Sequence, residues 1–382
     1  MRRILRANAG GVIQPAAMAD DARTQAAISG AERFVNAWHG RPMRERLSEI
    51  ADATGENERA DVYGTGERIE RLEGRIAEML GAEAAVFMPS GTMAQQIALR
   101  IWSDRRGSRT VAFHPTCHLE IHEQKGYQML HGLHGRLVGD PNRLITLGDL
   151  EGIHEPVAAL LLELPQREIG GLLPAWDDLV AQTGWARERG IALHLDGARL
   201  WQVGPFYGRN HAEIAGLFDS VYVSFYKDLH ALAGAALAGD AEFVAEARVW
   251  QRRHGGNLVT MHPFVVSAEL SLDRWLERIP EYVAHARALA AVLGAVEGIE
   301  VVPDPPQTPM FHILMRGDRE RLADAALAVA EERKVFLFGD PDPTTSPSVQ
   351  RHEVTVGDAT LRLAPEEVVA LYADVLTRAN PR

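Results

Sequence analysis

The sequence predicts an α/β protein: a three-layer, mostly parallel sheet with helices on both faces, followed by a smaller C-terminal α+β domain. Three observations predict it. Between residues 67 and 240, short apolar stretches alternate with amphipathic helical ones. Several of those stretches are apolar on both faces, as strands covered by two layers of helices must be. After residue 255 the texture changes to long Ala-, Leu- and Val-rich segments and then to short strand–helix alternation.

The elements follow in order. Residues 1–30 mix small and polar residues without a period and are expected to form a loose N-terminal arm. Residues 31–255 are expected to form the large domain. Within it, residues 67–80 set Ile69, Leu72, Ile76, Met79 and Leu80 at helical spacing, and Gly81 is the stop. Residues 84–89 read as a buried strand, Ser90-Gly91-Thr92 follows, and residues 93–102 read as a helix. Strands are expected at 110–113, 143–147 and 157–164, and a helix at 177–189. The strand at 191–195 runs into Asp196-Gly197-Ala198-Arg199. The strand at 220–225 runs into Tyr226-Lys227, and another is expected at 233–238. Residues 256–382 form the expected small domain. It begins with helices over 264–297, is broken by Pro303-Asp304-Pro305-Pro306, and includes a strand at 311–315 and a helix at 319–332.

Composition narrows the function. The chain has 382 residues, 46% apolar and 24% charged, as soluble globular proteins do. Its net charge of −12 argues against a nucleic-acid or membrane-surface partner. Cys117 is the sole cysteine, which excludes an internal disulfide and a Cys-based zinc site and fits a reducing, cytoplasmic setting. No apolar run approaches a membrane span, and the basic start lacks the apolar core of a signal peptide.

Only three of the 40 basic residues are lysines: Lys125, Lys227 and Lys334. Lys227 and Asp196 each lie just past the C-terminal end of an expected buried strand, where open α/β sheets bind ligands. An amine and a carboxylate so placed are what pyridoxal 5′-phosphate requires: Lys forms a Schiff base with the aldehyde, and Asp pairs with the protonated pyridine nitrogen. The same two residues also read as a turn cap and a solvated amine. Ser90-Gly91-Thr92 sits between a strand and a helix, where free N–H groups form an anion site or a simple cap. In His114–Glu123, His118 and His122 share a helical spacing but lack a third metal ligand, so no metal is expected. A ring over a flat cofactor with a carboxylate beside it is a second reading, and a polar loop a third. Arg199, three residues after Asp196, and Arg362, in an alternating strand expected at 359–363, are candidates to hold a substrate carboxylate.

The order of these features resembles the threonine aldolase and β-eliminating lyase family of the aspartate-aminotransferase fold. Asp61-Val62-Tyr63-Gly64 resembles the family's early loop, Ser90-Gly91-Thr92-Met93-Ala94 its phosphate cup, and His118 with Glu123 its ring-stacking His and downstream Glu. Leu193-His194-Leu195-Asp196-Gly197-Ala198-Arg199 is nearly the family signature, and Asp219-Ser220 to Lys227 is similar to the strand that delivers the lysine. The resemblance implies that Lys227 is the Schiff-base lysine and Asp196 the pyridine partner. It implies that Ser90, Gly91 and Thr92 bind phosphate, and that His118 stacks on the ring. It assigns Arg199, Arg362 and Tyr63 to the substrate. It also implies a homodimer or homotetramer that cleaves a β-hydroxy-α-amino acid to glycine and an aldehyde. Three departures stand beside it. Asp228 and His230 replace two glycines next to the lysine, Gln166 replaces a His, and a carboxylate-binding N-terminal segment is replaced near Asn36-Ala37-Trp38. They keep open β-elimination, transamination and a binder without turnover.

Overall fold

The computed structural model describes residues 22–37 and 41–381. Its strands are β1 (Arg33–Phe34), β2 (Ala84–Met88), β3 (Thr110–Phe113), β4 (His134–Leu137), β5 (Ala159–Glu163), β6 (Ala192–Gly197), β7 (Ser220–Ser224), β8 (Ala235–Gly239), β9 (Ile299–Val302), β10 (Met310–Arg316), β11 (Val335–Phe336), β12 (Asp342–Pro343) and β13 (Val349–Thr355). Seven make the large sheet, in the order β2-β8-β7-β6-β5-β3-β4. β3 to β7 run parallel, and β8 is antiparallel to both its neighbours.

Two apolar cores lie on the two faces of this sheet, which makes three layers. On one face, Ile97, Ile101 and Trp102 of the helix Gly91–Arg106 pack on Val86, Val111 and Leu161. On the other, the helices Glu67–Leu80, Trp176–Glu188 and His262–Trp275 cover Leu160, Leu193 and Val221 with Leu72, Leu179 and Val265. Ile69, Leu72, Ile76 and Leu80 line the buried stripe of the first of these helices. Gly81 ends it in the left-handed region, at φ 63°.

The small domain is the antiparallel sheet β12-β13-β10-β9, covered by the helices Ile279–Leu293, Arg319–Arg333 and Pro365–Ala379. Its borders differ from those expected at 30 and 255. The core of the large domain still includes Met261, Val265 and Leu272, and the small core begins at Ile279. The chain's start also belongs to the small domain: β1 pairs in parallel with β11, and Val35 is buried in the small core. Of the expected loose arm, residues 1–21 lie outside the described residues, as does Trp38. Ala22–Gly30 is a helix, and Ala27 packs with Leu327, Ala330 and Phe336.

Two further expectations are corrected. Residues 143–147 are not a strand. Thr146 caps a short helix, Leu147–Glu151, and exchanges side-chain and backbone bonds with Asp149. The sheet's edge is instead β4, whose four residues are all exposed and carry no apolar run to betray it. The alternating strand expected at 359–363 is a single 3-10 turn, Thr360–Arg362; the strand with alternating burial is β13, before it. No helix among the described residues is long and apolar enough to cross a membrane.

Candidate active site

Three parallel strands deliver the central residues at their C-terminal ends. Glu163 ends β5, and Asp196 stands opposite it in register near the end of β6. The chain leaves β7 at Ser224, whose Oγ accepts the N–H groups of Tyr226 and Lys227, both at 3.3 Å. That turn leads Lys227 out beside Asp196, where the Asp196 charge acts on its amine.

Burial governs the electrostatics. Asp196 is 1% exposed and accepts the Ala198 N–H at 3.0 Å. Burial raises its carboxyl, against the pull of the His118 imidazole and the Ala198 N–H. Burial and the neighbouring Asp196 push Glu163 up to about 8. Burial, then the positive charges of Arg199 and Arg167, bring the Lys227 amine down to about 8. Burial pushes Asp228 up to about 7 against Arg199 and Lys227.

His118 opens the short helix His118–Ile121, and its Nδ1 donates to Glu123 Oε1 at 3.0 Å. The other oxygen of Glu123 accepts Gln96 Nε2 at 2.9 Å, so the pair is anchored on the helix Gly91–Arg106. Ser90 caps that helix, with its Oγ accepting the Met93 N–H at 3.3 Å. Gly91 follows because nothing larger fits: a Cβ there would lie 1.9 Å from Tyr222 Oη. Thr92 is exposed at the first turn.

Asp196, Lys227, His118, Glu123 and Arg199 thus gather at one end of the sheet, and the Ser90–Thr92 turn opens the helix that carries Gln96. Arg199 stands between Asp228 and Glu353, with Nε 3.7 Å from Asp228 Oδ1 and Nη2 3.9 Å from Glu353 Oε1. Two expected residues are exposed in this chain. Arg362 is exposed and lines a cavity of about 500 Å³ with Arg33, Arg41, Glu49, Arg274 and Asp358; Asp196, Lys227 and Arg199 are not among the residues around it. Tyr63 is 52% exposed on a turn with φ 52°. That turn is tied to residues 259–261: Asp61 Oδ1 accepts Thr260 Oγ1 and the Met261 N–H, and the Tyr63 N–H donates to Val259 O.

Sequence reasoning missed a ring of charge around Arg199. Arg167 bridges Glu353 (Nε–Oε2, 2.8 Å) and Glu168 (Nη1–Oε1, 2.7 Å). Glu168 also accepts His122 Nε2 at 2.9 Å and pairs with Arg351 Nη2 at 3.2 Å. Burial opposes its charge, yet His122, Arg167 and Arg351 hold it down to about 2. Arg167 and Glu168 lie four and five residues past the end of β5, so the strand-end argument applied to Lys227 would have pointed to them. Arg351 and Glu353 share the half-exposed face of β13, opposite the buried Gln350, His352 and Val354. His118 and His122 each bind their own carboxylate. Among the described residues no three His, Cys, Asp or Glu side chains converge as a metal ligand set.

The donor set fits pyridoxal 5′-phosphate. Asp196 is a buried carboxyl with no basic side chain bonded to it among the described residues, which a protonated ring nitrogen would match. Lys227 is an amine with a lowered pKa, and Ser90 to Thr92 open the N-terminus of a 16-residue helix.

The comparisons with known proteins agree. The sequence model of the family described as "Beta-eliminating lyase" matches residues 41–316. Low-specificity L-threonine aldolase 1 of Arabidopsis thaliana is 27% identical over 310 residues, covering 78% of this chain and 86% of that protein. The low specificity L-threonine aldolase of Saccharomyces cerevisiae is 29% identical over 204 residues, 52% of each chain. A Listeria monocytogenes EGD-E structure, solved as a candidate L-allo-threonine aldolase, superposes with a TM-score of 0.89 at 40% identity, covering 93% of this chain and 98% of that one. An Exiguobacterium sp. 255-15 structure, described as a candidate aromatic amino acid beta-eliminating lyase/threonine aldolase, gives 0.88 at 42% identity over 93% and 99%. With the family match over residues 41–316 and these site residues in place, the chain belongs to the beta-eliminating lyase family of pyridoxal phosphate-dependent enzymes.

Proposed function

We propose that this threonine aldolase-like carbon–carbon lyase cleaves a β-hydroxy-α-amino acid of the threonine or phenylserine type to glycine and an aldehyde. One observation carries the reading: Lys227 and Asp196 on neighbouring strand ends, faced by the His118–Glu123 pair. The named aldolases among its relatives support it.

Pyridoxal phosphate, when bound, supplies a carbonyl for amines and a ring that takes up the electron pair of the broken Cα–Cβ bond. The residues do the rest. Lys227, lowered to about 8, keeps an unprotonated fraction near neutral pH and is the nucleophile for that carbonyl. Asp196 holds the proton on the ring nitrogen. Ser90, Gly91 and Thr92 bind the phosphate with their N–H groups and hydroxyls. His118, oriented by Glu123, stacks on the ring and assists removal of the β-hydroxyl proton. Arg199 takes the substrate carboxylate, since its two carboxylate neighbours stand beyond hydrogen-bond length and leave its N–H groups unfilled among the described residues. Arg167 is the second guanidinium of this site, in place of Arg362. A cytoplasmic homodimer or homotetramer is supported by the lone cysteine and by exposed apolar Val62, Tyr63 and Val259 around one turn.

The test is a visible absorbance spectrum of the purified protein with pyridoxal phosphate, repeated on Lys227→Ala. The wild type is expected to show the band of lysine-bound cofactor and Lys227→Ala to lose it. Threonine or phenylserine should then release aldehyde and glycine in equal amounts. A wild type that binds cofactor but yields 2-oxo acid and ammonia, or nothing, sinks the aldolase reading.

A further inference from the structure

Arg199 stands among more negative charge than a guanidinium waiting for one carboxylate needs. Asp228 and Glu353 flank it at 3.7 and 3.9 Å, beyond hydrogen-bond length, so among the described residues the N–H fork is held and still unfilled. The Asp228 side chain is 2% exposed, and its Oδ2 has no partner among the described residues. Glu353 reaches in from β13 of the small domain. Its second oxygen is anchored on Arg167 at 2.8 Å and faces His312 Nε2 at 3.8 Å. Burial opposes the Glu353 charge, but Arg167, His312 and Arg199 hold the carboxyl well below its ordinary range, so it is an anion. Arg199, Arg167, Asp196 and Glu353 all act on the Lys227 amine. The space before Lys227 is therefore bounded by cations and anions together.

We infer that Asp228 and Glu353 are specificity-determining residues that admit zwitterionic α-amino acids and reject ligands bearing a carboxylate alone. The inference rests on the reading that Arg199 takes the substrate carboxylate. A bare carboxylate in the Arg199 fork comes close to two like charges in a partly desolvated site, where such repulsion is strong. An α-amino acid brings an ammonium one carbon from its carboxylate, and that charge offsets the repulsion. Acetate, propionate and 2-oxo acids fit the same fork without it. The selection is built from a repulsive element beside an attractive one.

The test is calorimetric titration of the cofactor-loaded protein with glycine and, separately, with acetate, at about pH 8. Asp228, pushed up to about 7, is then mostly ionised. The wild type is expected to prefer glycine, whose amine also bonds to the cofactor carbonyl, so the change in acetate affinity is the deciding readout. Glu353→Gln is expected to tighten acetate by about tenfold and so narrow that preference. Asp228→Asn should act in the same direction, which covers the case in which Glu353→Gln fails to fold. Glu353→Asp keeps the charge and should retain the discrimination. Glycine binding that persists in both neutral variants, with acetate no tighter than in the wild type, overturns the inference. Arg199→Gln separates the two levels. If glycine binds that variant as it binds the wild type, the functional reading falls, and the inference with it.

Discussion

A Cβ on Gly91 would lie 1.9 Å from Tyr222 Oη and 2.3 Å from its Cζ. Tyr222 is buried on β7, five residues before Lys227, so it has nowhere to retreat. Gly91→Ala is therefore expected to cost about 1–3 kcal/mol, the usual range for overpacking, read as a lower midpoint in thermal or urea unfolding. It should also weaken cofactor retention on dialysis, because the same contact sets the start of the helix below Ser90. Unchanged stability and retention would show that the helix start shifts freely. At this scale the sequence was readable where chemistry and strand position coincide, as at Asp196 and Lys227. It was not readable at Glu353, because no strand end marks it and its role depends on a small-domain strand meeting Arg167 and Arg199 across the fold.

Among elements, one buried acid joins three of them. Glu73, on the helix Glu67–Leu80, accepts the Phe87 N–H of β2 at 2.8 Å through one oxygen and pairs with Arg248 of the helix Ala241–Arg253 through the other. Glu73→Ala would leave a buried N–H unsatisfied and is expected to cost about 1–3 kcal/mol in unfolding experiments. Glu73→Gln keeps the side-chain volume and an acceptor for Phe87 and should lose less; equal losses would place the effect in the ion pair with Arg248. Strands β5, β6 and β7 were legible because parallel strands under two helix layers are apolar on both faces. β4 was not, because it is an edge strand with every residue exposed. The stretch 143–147 misled because Ile145 is buried from a loop, which gives an apolar signal without a ladder. The small-domain arginine misled for a related reason: residues 359–363 alternate in sequence but fold around a 3-10 turn, and the strand with alternating burial is β13, before it.

For the whole molecule, burial sets opposite pH responses in different places. Burial holds the His194 imidazole down to about 3 and those of His131 and His352 to about 4, so all three fold as neutral rings. Their unfolded pKa is near 6.5, so as pH falls from about 6.5 towards 4 the unfolded chain gains protons that the folded one refuses. Each then removes stability by up to about 1.4 kcal/mol per pH unit. Glu163 and Asp228, raised by burial, bind protons in the fold over part of this range and work the other way. A difference measurement isolates one group. Among the described residues His131 has both ring nitrogens unpartnered, and it stacks on His254 at 4.9 Å, so His131→Phe should gain stability over the wild type steadily as the buffer goes from pH 6.5 to 4. A gap that stays constant with pH would mean that His131 is not held neutral by the fold. The pairing of β1 with β11 bears on how the chain is made. About 300 residues separate the two strands, so a nascent chain leaves Phe34 and Val35 without β11 until residues 335–336 have left the ribosome. The large domain can assemble during translation, whereas the small one has to wait for β11 to emerge.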